Sequence, residues 1–138
     1  MNIYLDTSTV LRVLFGEPGQ LETWGRWSSA FSSELLRVEA RRAIDRLRLL
    51  TALNDEDVAA AHDQLRRIEE SLAFIRLTPA VLHRASLPMA TAVRTLDALH
   101  LASSLLYQER RRDRLLFGTH DRSQATAARA LGFQVVGV

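Results

Sequence analysis

An uninterrupted apolar run, Ile3-Tyr4-Leu5, ends abruptly in Asp6, and Thr7 and Ser8 follow before apolar residues resume at Val10 and Leu11. A run with no polar alternation reads as a short strand buried on both faces. Asp6 then stands at the strand's carboxyl end, the edge where open α/β sheets bind ligands. Asp6 or Thr7 could equally cap the next helix, since Asp, Ser and Thr are favoured N-caps. The same arrangement returns near the other end of the chain. Leu115-Leu116-Phe117 is apolar, Gly118-Thr119-His120 follows, then Asp121, then a helical stretch from Arg122 to about Leu131. Strands that alternate with helices imply a parallel sheet with helices on both faces, so the expected class is α/β.

The intervening chain supplies the other elements. Thr7 to Phe15 reads as a short helix ended by Gly16 and Pro18. Leu21, Trp24 and Trp27 recur at three-residue spacing and predict a second short amphipathic helix to about Ser29, with the tryptophans in the core or against a partner. Phe31 suits a very short strand. Ser33 is placed to cap a helix from Glu34 to about Leu50, with Leu35, Val38, Ala43, Leu47 and Leu50 as its apolar stripe and Glu39 at the stripe's edge. Asn54 caps a helix carrying Val58, Ala61, Leu65, Ile68 and Leu72, which pairs with its predecessor as a helical hairpin. Ala73 to Leu77 is a candidate strand, and Thr78-Pro79 opens another helix that Pro88 breaks. Thr95 is expected to cap a helix from Leu96 to about Arg110 that is apolar nearly all round and therefore buried. Gly132 stops the last helix, and Gln134 to Val136 makes a final strand.

Composition narrows the chemistry. With 138 residues, 47% of them apolar, the chain is expected to form one domain spanning 1–138 with a substantial core. It has no cysteine, so disulfides and thiolate metal sites are excluded, and any metal must take oxygen or imidazole ligands. No apolar run approaches the roughly 20 residues of a membrane span, and no signal peptide is visible, so a cytoplasmic protein with no membrane contact is expected. All 18 basic residues are arginine, a side chain able to grip phosphate with two parallel hydrogen bonds, although codon bias also explains the preference.

Four carboxylates stand where this topology lets them converge. Asp6 and Asp121 follow strands, while Glu39 and Asp97 lie early in buried helices that begin at the same sheet edge. Four such acids would repel one another without a cation among them. Hard oxygen ligands suit Mg²⁺ or Mn²⁺, which would keep several waters. A site of that kind can lower the pKa of a bound water, orient it for in-line attack and neutralise charge in phosphodiester hydrolysis. Ser8 and Thr119 could hydrogen-bond a metal-bound water or orient a carboxylate. Neither a P-loop nor a Gly-x-Gly-x-x-Gly loop is present.

These residues carry a resemblance. Tyr4-Leu-Asp-Thr-Ser8, Ser33-Glu-Leu-Leu-Arg-Val-Glu-Ala40, Thr95-Leu-Asp-Ala-Leu-His-Leu-Ala102, Gly118-Thr-His-Asp-Arg122 and the closing Ala130-Leu-Gly-Phe133 occur in the order found in the PIN-domain ribonucleases. The chain resembles in particular the VapC-type toxins of bacterial toxin–antitoxin pairs. The resemblance implies a PIN-like three-layer α/β fold, with a short parallel β-sheet flanked by helices. It implies Asp6, Glu39, Asp97 and Asp121 as the catalytic acids, with Asp6, Asp97 and Asp121 holding Mg²⁺ or Mn²⁺ and Ser8 and Thr119 in support. It also implies metal-dependent endoribonuclease activity, a cognate antitoxin that inhibits it and a homodimer. Trp24, Trp27 and the two long helices could form the groove for an antitoxin helix. Glu34 competes with Glu39 for the acid's place but is expected to cap its helix. His100 is expected to pack or hydrogen-bond within the core, and His120 is given no catalytic role. A catalytically silent PIN-like module binding RNA or protein is the alternative, and a nuclease acting on DNA a third possibility.

Overall fold

The computed structural model describes residues 1–138. Five short strands, β1 (Asn2–Leu5), β2 (Ser29–Ser33), β3 (Ala73–Ile75), β4 (Leu115–Gly118) and β5 (Gln134–Val136), form one sheet in the order β3-β2-β1-β4-β5. Every pairing is parallel. The helices are α1 (Thr7–Leu14), α2 (Leu35–Leu49), α3 (Asp55–Glu70), α4 (Pro79–Ser86), α5 (Thr95–Arg111) and α6 (Arg122–Ala130). The central strand is the apolar run with which the chain begins, and Ile3, Tyr4 and Leu5 are each fully buried.

Burial on both faces of β1 sets the layers. Tyr4 points to a cluster with Leu101 and Leu105 of α5, Ala127 and Ala128 of α6, and Phe117 of β4. Ile3 and Leu5 point the other way, against Leu21 and Ala30. Trp24 and Leu72 cover that side and also touch the cluster made by α1, α2 and α3. Trp24 therefore joins the sheet to the second helical layer, and it meets Trp27 edge-on at 5.1 Å between ring centres. The expected three-layer α/β architecture is the one observed.

Several local features follow their chemistry. The Asn54 side chain accepts from Asp57 N at 2.8 Å and the Asp57 side chain accepts from Asn54 N at 3.2 Å, a reciprocal capping box at the start of α3. Thr78 caps α4 with Pro79 at the first helical position. Arg41 grips Glu69 with two nitrogens, tying α2 to α3 as the expected hairpin.

Four local expectations are corrected. Residues 21–28 form no helix: Trp24 N donates to Leu21 O and Arg26 N to Thr23 O, and Gly25 at φ +76° turns the chain away. The three-residue spacing there serves packing, and Ser28 N is already bonded to Met1 O at the entrance to β2. In α2 the buried face is Leu36, Ala40, Ala43 and Ile44, so the stripe expected at Leu35, Val38 and Leu50 is rotated. Val38 is 60% exposed and Leu50 68%. The two alanines let α2 approach its neighbours closely, which a search for large apolar residues overlooks. Thr95 is the first residue of α5, and the cap position falls on Arg94, whose side chain makes no capping bond. Finally, Ser33 ends β2, and Glu34 takes the N-cap position of α2 without making a side-chain capping bond. Ser33 Oγ still accepts from Leu35 N at 3.1 Å, while Glu34 Oε2 accepts from Leu77 N at 3.1 Å and ties β2 to the chain after β3.

Candidate active site

Asp6 leaves β1 and is only 5% exposed. Its Oδ2 accepts from the Ser8 hydroxyl at 2.7 Å, from the Thr119 hydroxyl at 3.0 Å and more weakly from Ser8 N at 3.4 Å. The surrounding donors and acceptors fix the Gln124 amide with its nitrogen toward Asp6, 3.0 and 3.1 Å from the two carboxylate oxygens. Asp6 therefore is the N-cap of α1 and also stands at the sheet's carboxyl edge, the two roles its sequence position allowed. Without these donors a carboxylate so buried would be costly.

The β4–α6 connection mirrors this arrangement next door, because β4 pairs directly with β1. Asp121 is exposed and caps α6, accepting from Gln124 N at 2.9 Å. Asp121 N donates to the Thr119 hydroxyl at 3.0 Å, and His120 N donates to Ser8 Oγ at 2.9 Å. Ser8 and Thr119 so stitch the two loops together while both address Asp6. Gly137 permits this closeness. It sits at φ +107°, and a Cβ there would lie 2.3 Å from Thr119 O.

Glu39 and Asp97 approach from the helices. Glu39 Oε1 accepts from the Thr7 hydroxyl at 2.7 Å and contacts His100 Nε2 at 2.6 Å. Asp97 lies in the first turn of α5. Its carboxyl pKa is raised, first by burial and then by the negative charges of Asp6 and Asp121, with Glu39 adding to them and His100 opposing. Geometry links the other three: Thr119 Oγ1 donates to Asp6 and accepts from Asp121 N, and His100 Nε2 lies 2.6 Å from Glu39 and 3.6 Å from Asp6. None of the four is paired with an arginine.

His100 is fully buried between them. Burial lowers its pKa, but the hydrogen bond to Glu39 and the charges of Asp6, Glu39 and Asp97 outweigh this and raise it overall. Its other nitrogen, Nδ1, meets the Tyr4 hydroxyl at 2.7 Å.

Over this geometry lie the matches to known proteins. The family model for the PIN domain matches residues 3–130. The chain belongs to the PIN-domain family. A relative, ribonuclease VapC47 of Mycobacterium tuberculosis, is 29% identical over 138 residues, covering 95% of this chain and 93% of that one. The crystal structure of VapBC2 from Rickettsia felis, bound to a DNA fragment from their promoter, superposes with a TM-score of 0.68 at 10% identity, over 98% of this chain and 97% of that one. FitAcB from Neisseria gonorrhoeae gives 0.65 at 17% identity, over 98% and 96%.

In this PIN domain the acids present only hard oxygen donors, which fit Mg²⁺ or Mn²⁺. No three acid or imidazole side chains converge as a finished set of direct ligands. Both oxygens of Asp6 and Oε1 of Glu39 already accept from protein donors, an arrangement that suits an ion reached partly through water. Beside the acids lies a cleft of about 390 Å³ whose walls include Ser8, Arg12, Phe15, Arg46, His120 and Asp121. Sequence reasoning missed Gln124 and Thr7 as partners of the acids. A polar residue on a face otherwise of Ala125, Ala127 and Ala128 was the available signal for Gln124. Thr7 was read only as a cap.

Proposed function

We propose that this PIN domain is a metal-dependent endoribonuclease, the toxin of a toxin–antitoxin pair. What supports the reading is that Asp6, Glu39 and Asp121 are linked through Thr119 and His100 at the carboxyl edge of the sheet, with Asp97 in the first turn of α5 beside them and no arginine paired to any of the four. The similarity to ribonuclease VapC47 supports RNA as the substrate.

Asp6, Asp97 and Asp121 would hold Mg²⁺ or Mn²⁺, with Glu39 as the fourth acid. When bound, the ion supplies a water of lowered pKa and neutralises charge developing on the phosphate. The chain's own residues prepare for this. The hydroxyls of Ser8 and Thr119 and the amide of Gln124 hold the Asp6 carboxylate in one orientation. Glu39 is anchored through Oε1, leaving Oε2 without a partner in the chain. Asp121 lines the cleft together with Arg12 and Arg46, which can take phosphates flanking the scissile bond. A cognate antitoxin and a second copy of the chain are the protein partners consistent with the family, in the cytoplasm where RNA is met.

Cleavage of a mixed, structured RNA pool by purified chain, freed of any co-purifying partner, tests the reading. Cutting is expected with Mg²⁺ or Mn²⁺, and is lost with EDTA and in Asp6→Ala. Metal-indifferent RNA affinity without turnover would instead favour a silent binding module. Preference for DNA over a matched RNA strand would reassign the substrate.

A further inference from the structure

We infer that His100 is a positioning residue, the middle of a Tyr4–His100–Glu39 relay that fixes the Glu39 carboxylate toward the acid cluster. The inference rests on the nuclease reading and names a residue that acts within the same site.

The relay joins three elements, β1, α5 and α2. The Tyr4 ring stacks on Phe117, 5.3 Å between centres and 19° between planes, which holds its hydroxyl still. That hydroxyl meets His100 Nδ1 at 2.7 Å, and the Tyr4 and His100 rings stand edge-on at 74°. His100 Nε2 then reaches Glu39 Oε1 at 2.6 Å, with Thr7 Oγ1 at 3.2 Å and Asp6 Oδ1 at 3.6 Å. Both Tyr4 and His100 are fully buried, so water does not compete for the bond between them, while Glu39 keeps 24% of its side chain exposed at the solvent end of the relay.

Proton placement follows from the partners. An ionised Glu39 only accepts, so Nε2 carries a proton and donates. In the neutral imidazole the tyrosine hydroxyl donates to Nδ1. In the imidazolium Nδ1 donates to the tyrosine oxygen. Glu39 is therefore addressed by the same N–H in either state. Both of its donors, His100 and Thr7, bind Oε1, and Oε2 is left without a hydrogen-bond partner in the chain. A core histidine that merely needed satisfying would require no such division between the two oxygens. Outer partners that orient a ligating carboxylate commonly carry a 10- to 100-fold share of activity or metal affinity.

The test compares wild type with His100→Leu, His100→Gln, Tyr4→Phe and the Leu/Phe double variant, each verified as folded by thermal melting. In RNA cleavage, His100→Leu should lower kcat about 10- to 100-fold with KM within about twofold. His100→Gln, which keeps an N–H donor, should recover part of the loss. Tyr4→Phe should lower kcat less, and should add nothing in the His100→Leu background, since a relay is not additive. In metal-free ¹⁵N-histidine-labelled protein, a slowly exchanging downfield Nε2 proton should be visible by NMR and move upfield in Glu39→Gln. Unchanged kcat in a folded His100→Leu would overturn the inference. So would additive losses, or an Nε2 proton indifferent to Glu39→Gln. The NMR measurement needs no cleavage, so absence of nuclease activity in wild type would strike the functional reading while the relay is judged separately. If His100→Leu does not fold, His100→Gln and the wild-type spectrum decide.

Discussion

A carboxylate set among other carboxylates works against the fold that holds it. Asp97 illustrates the sign. Its folded pKa is raised above the ordinary 3.8, by burial first and by Asp6 and Asp121 next. The folded chain thus binds this proton more tightly than the unfolded one. Its favourable contribution is complete below about 3.8, declines as pH rises through the raised folded value, and is a full penalty at neutral pH. Asp97→Asn should therefore raise Tm at pH 7 in EDTA by roughly 1–3 °C, a small gain because Asp97 keeps contact with solvent. The gain should vanish near pH 3, and the variant should cut no RNA. Calorimetry of both proteins across that range checks the sign, and a lower neutral Tm for the variant would refute it. Gln124 makes the complementary case. Gln124→Met keeps the buried volume but removes the amide from Asp6, so cleavage should drop about 10- to 100-fold and the melt should fall as a buried carboxylate loses a donor. Equal activity in the two proteins would show Asp6 indifferent to that amide. The acids themselves were readable because each carries charge beside apolar sequence. Gln124 and Thr7 were not, since the property that matters is whom they touch across the sheet edge, and one chain's order does not state that.

Elements were legible where a local signal and a long-range demand agree. The apolar runs of β1 and β4, the Asn54 cap, Thr78-Pro79 and Gly132 all have local chemistry sufficient for their structure. Segment 21–28 does not, because Leu21 and Trp24 answer to the sheet face they cover rather than to a helical period. The face of α2 was misread for a related reason: side-chain size suggested Leu35 and Val38, whereas close packing selected Ala40 and Ala43. Two substitutions probe single elements. Asn54→Ala removes the capping box of α3 and should cost about 1 kcal/mol in urea unfolding, with RNA cleavage unchanged at equal folded concentration. Loss of activity there would connect α3 to the site in a way the geometry does not. Gly137→Ala meets both a left-handed backbone and the Thr119 carbonyl, so it should cost at least 1–3 kcal/mol by the usual scale of such strain, approximately. Because Thr119 is what it displaces, cleavage should fall along with stability.

For the molecule as a whole, an ion held among these acids would be thermodynamically linked to the fold. An ion that binds only the folded chain stabilises it by about 2.7 kcal/mol at one hundred times its dissociation constant. Adding Mn²⁺ should therefore raise the wild-type Tm by several degrees and shift Asp97→Asn far less. A wild-type Tm insensitive to both Mg²⁺ and Mn²⁺ would count against an ion among these acids. The strand order bears on something different, the moment at which activity can begin. The central strand is made first, yet its partner on one side is β4, whose Leu115 to Gly118 align with Asn2 to Leu5. Asp6 N donates to Gly118 O at 2.9 Å, and Thr119, Asp121 and Gln124 come later still. A growing chain on the ribosome thus carries Asp6, Glu39 and Asp97 without the donors and the last acid that complete the site. On the nuclease reading, a chain stopped before residue 119 lacks Thr119, Asp121 and Gln124 and should cut no RNA, so the site becomes complete only after β4 has been made.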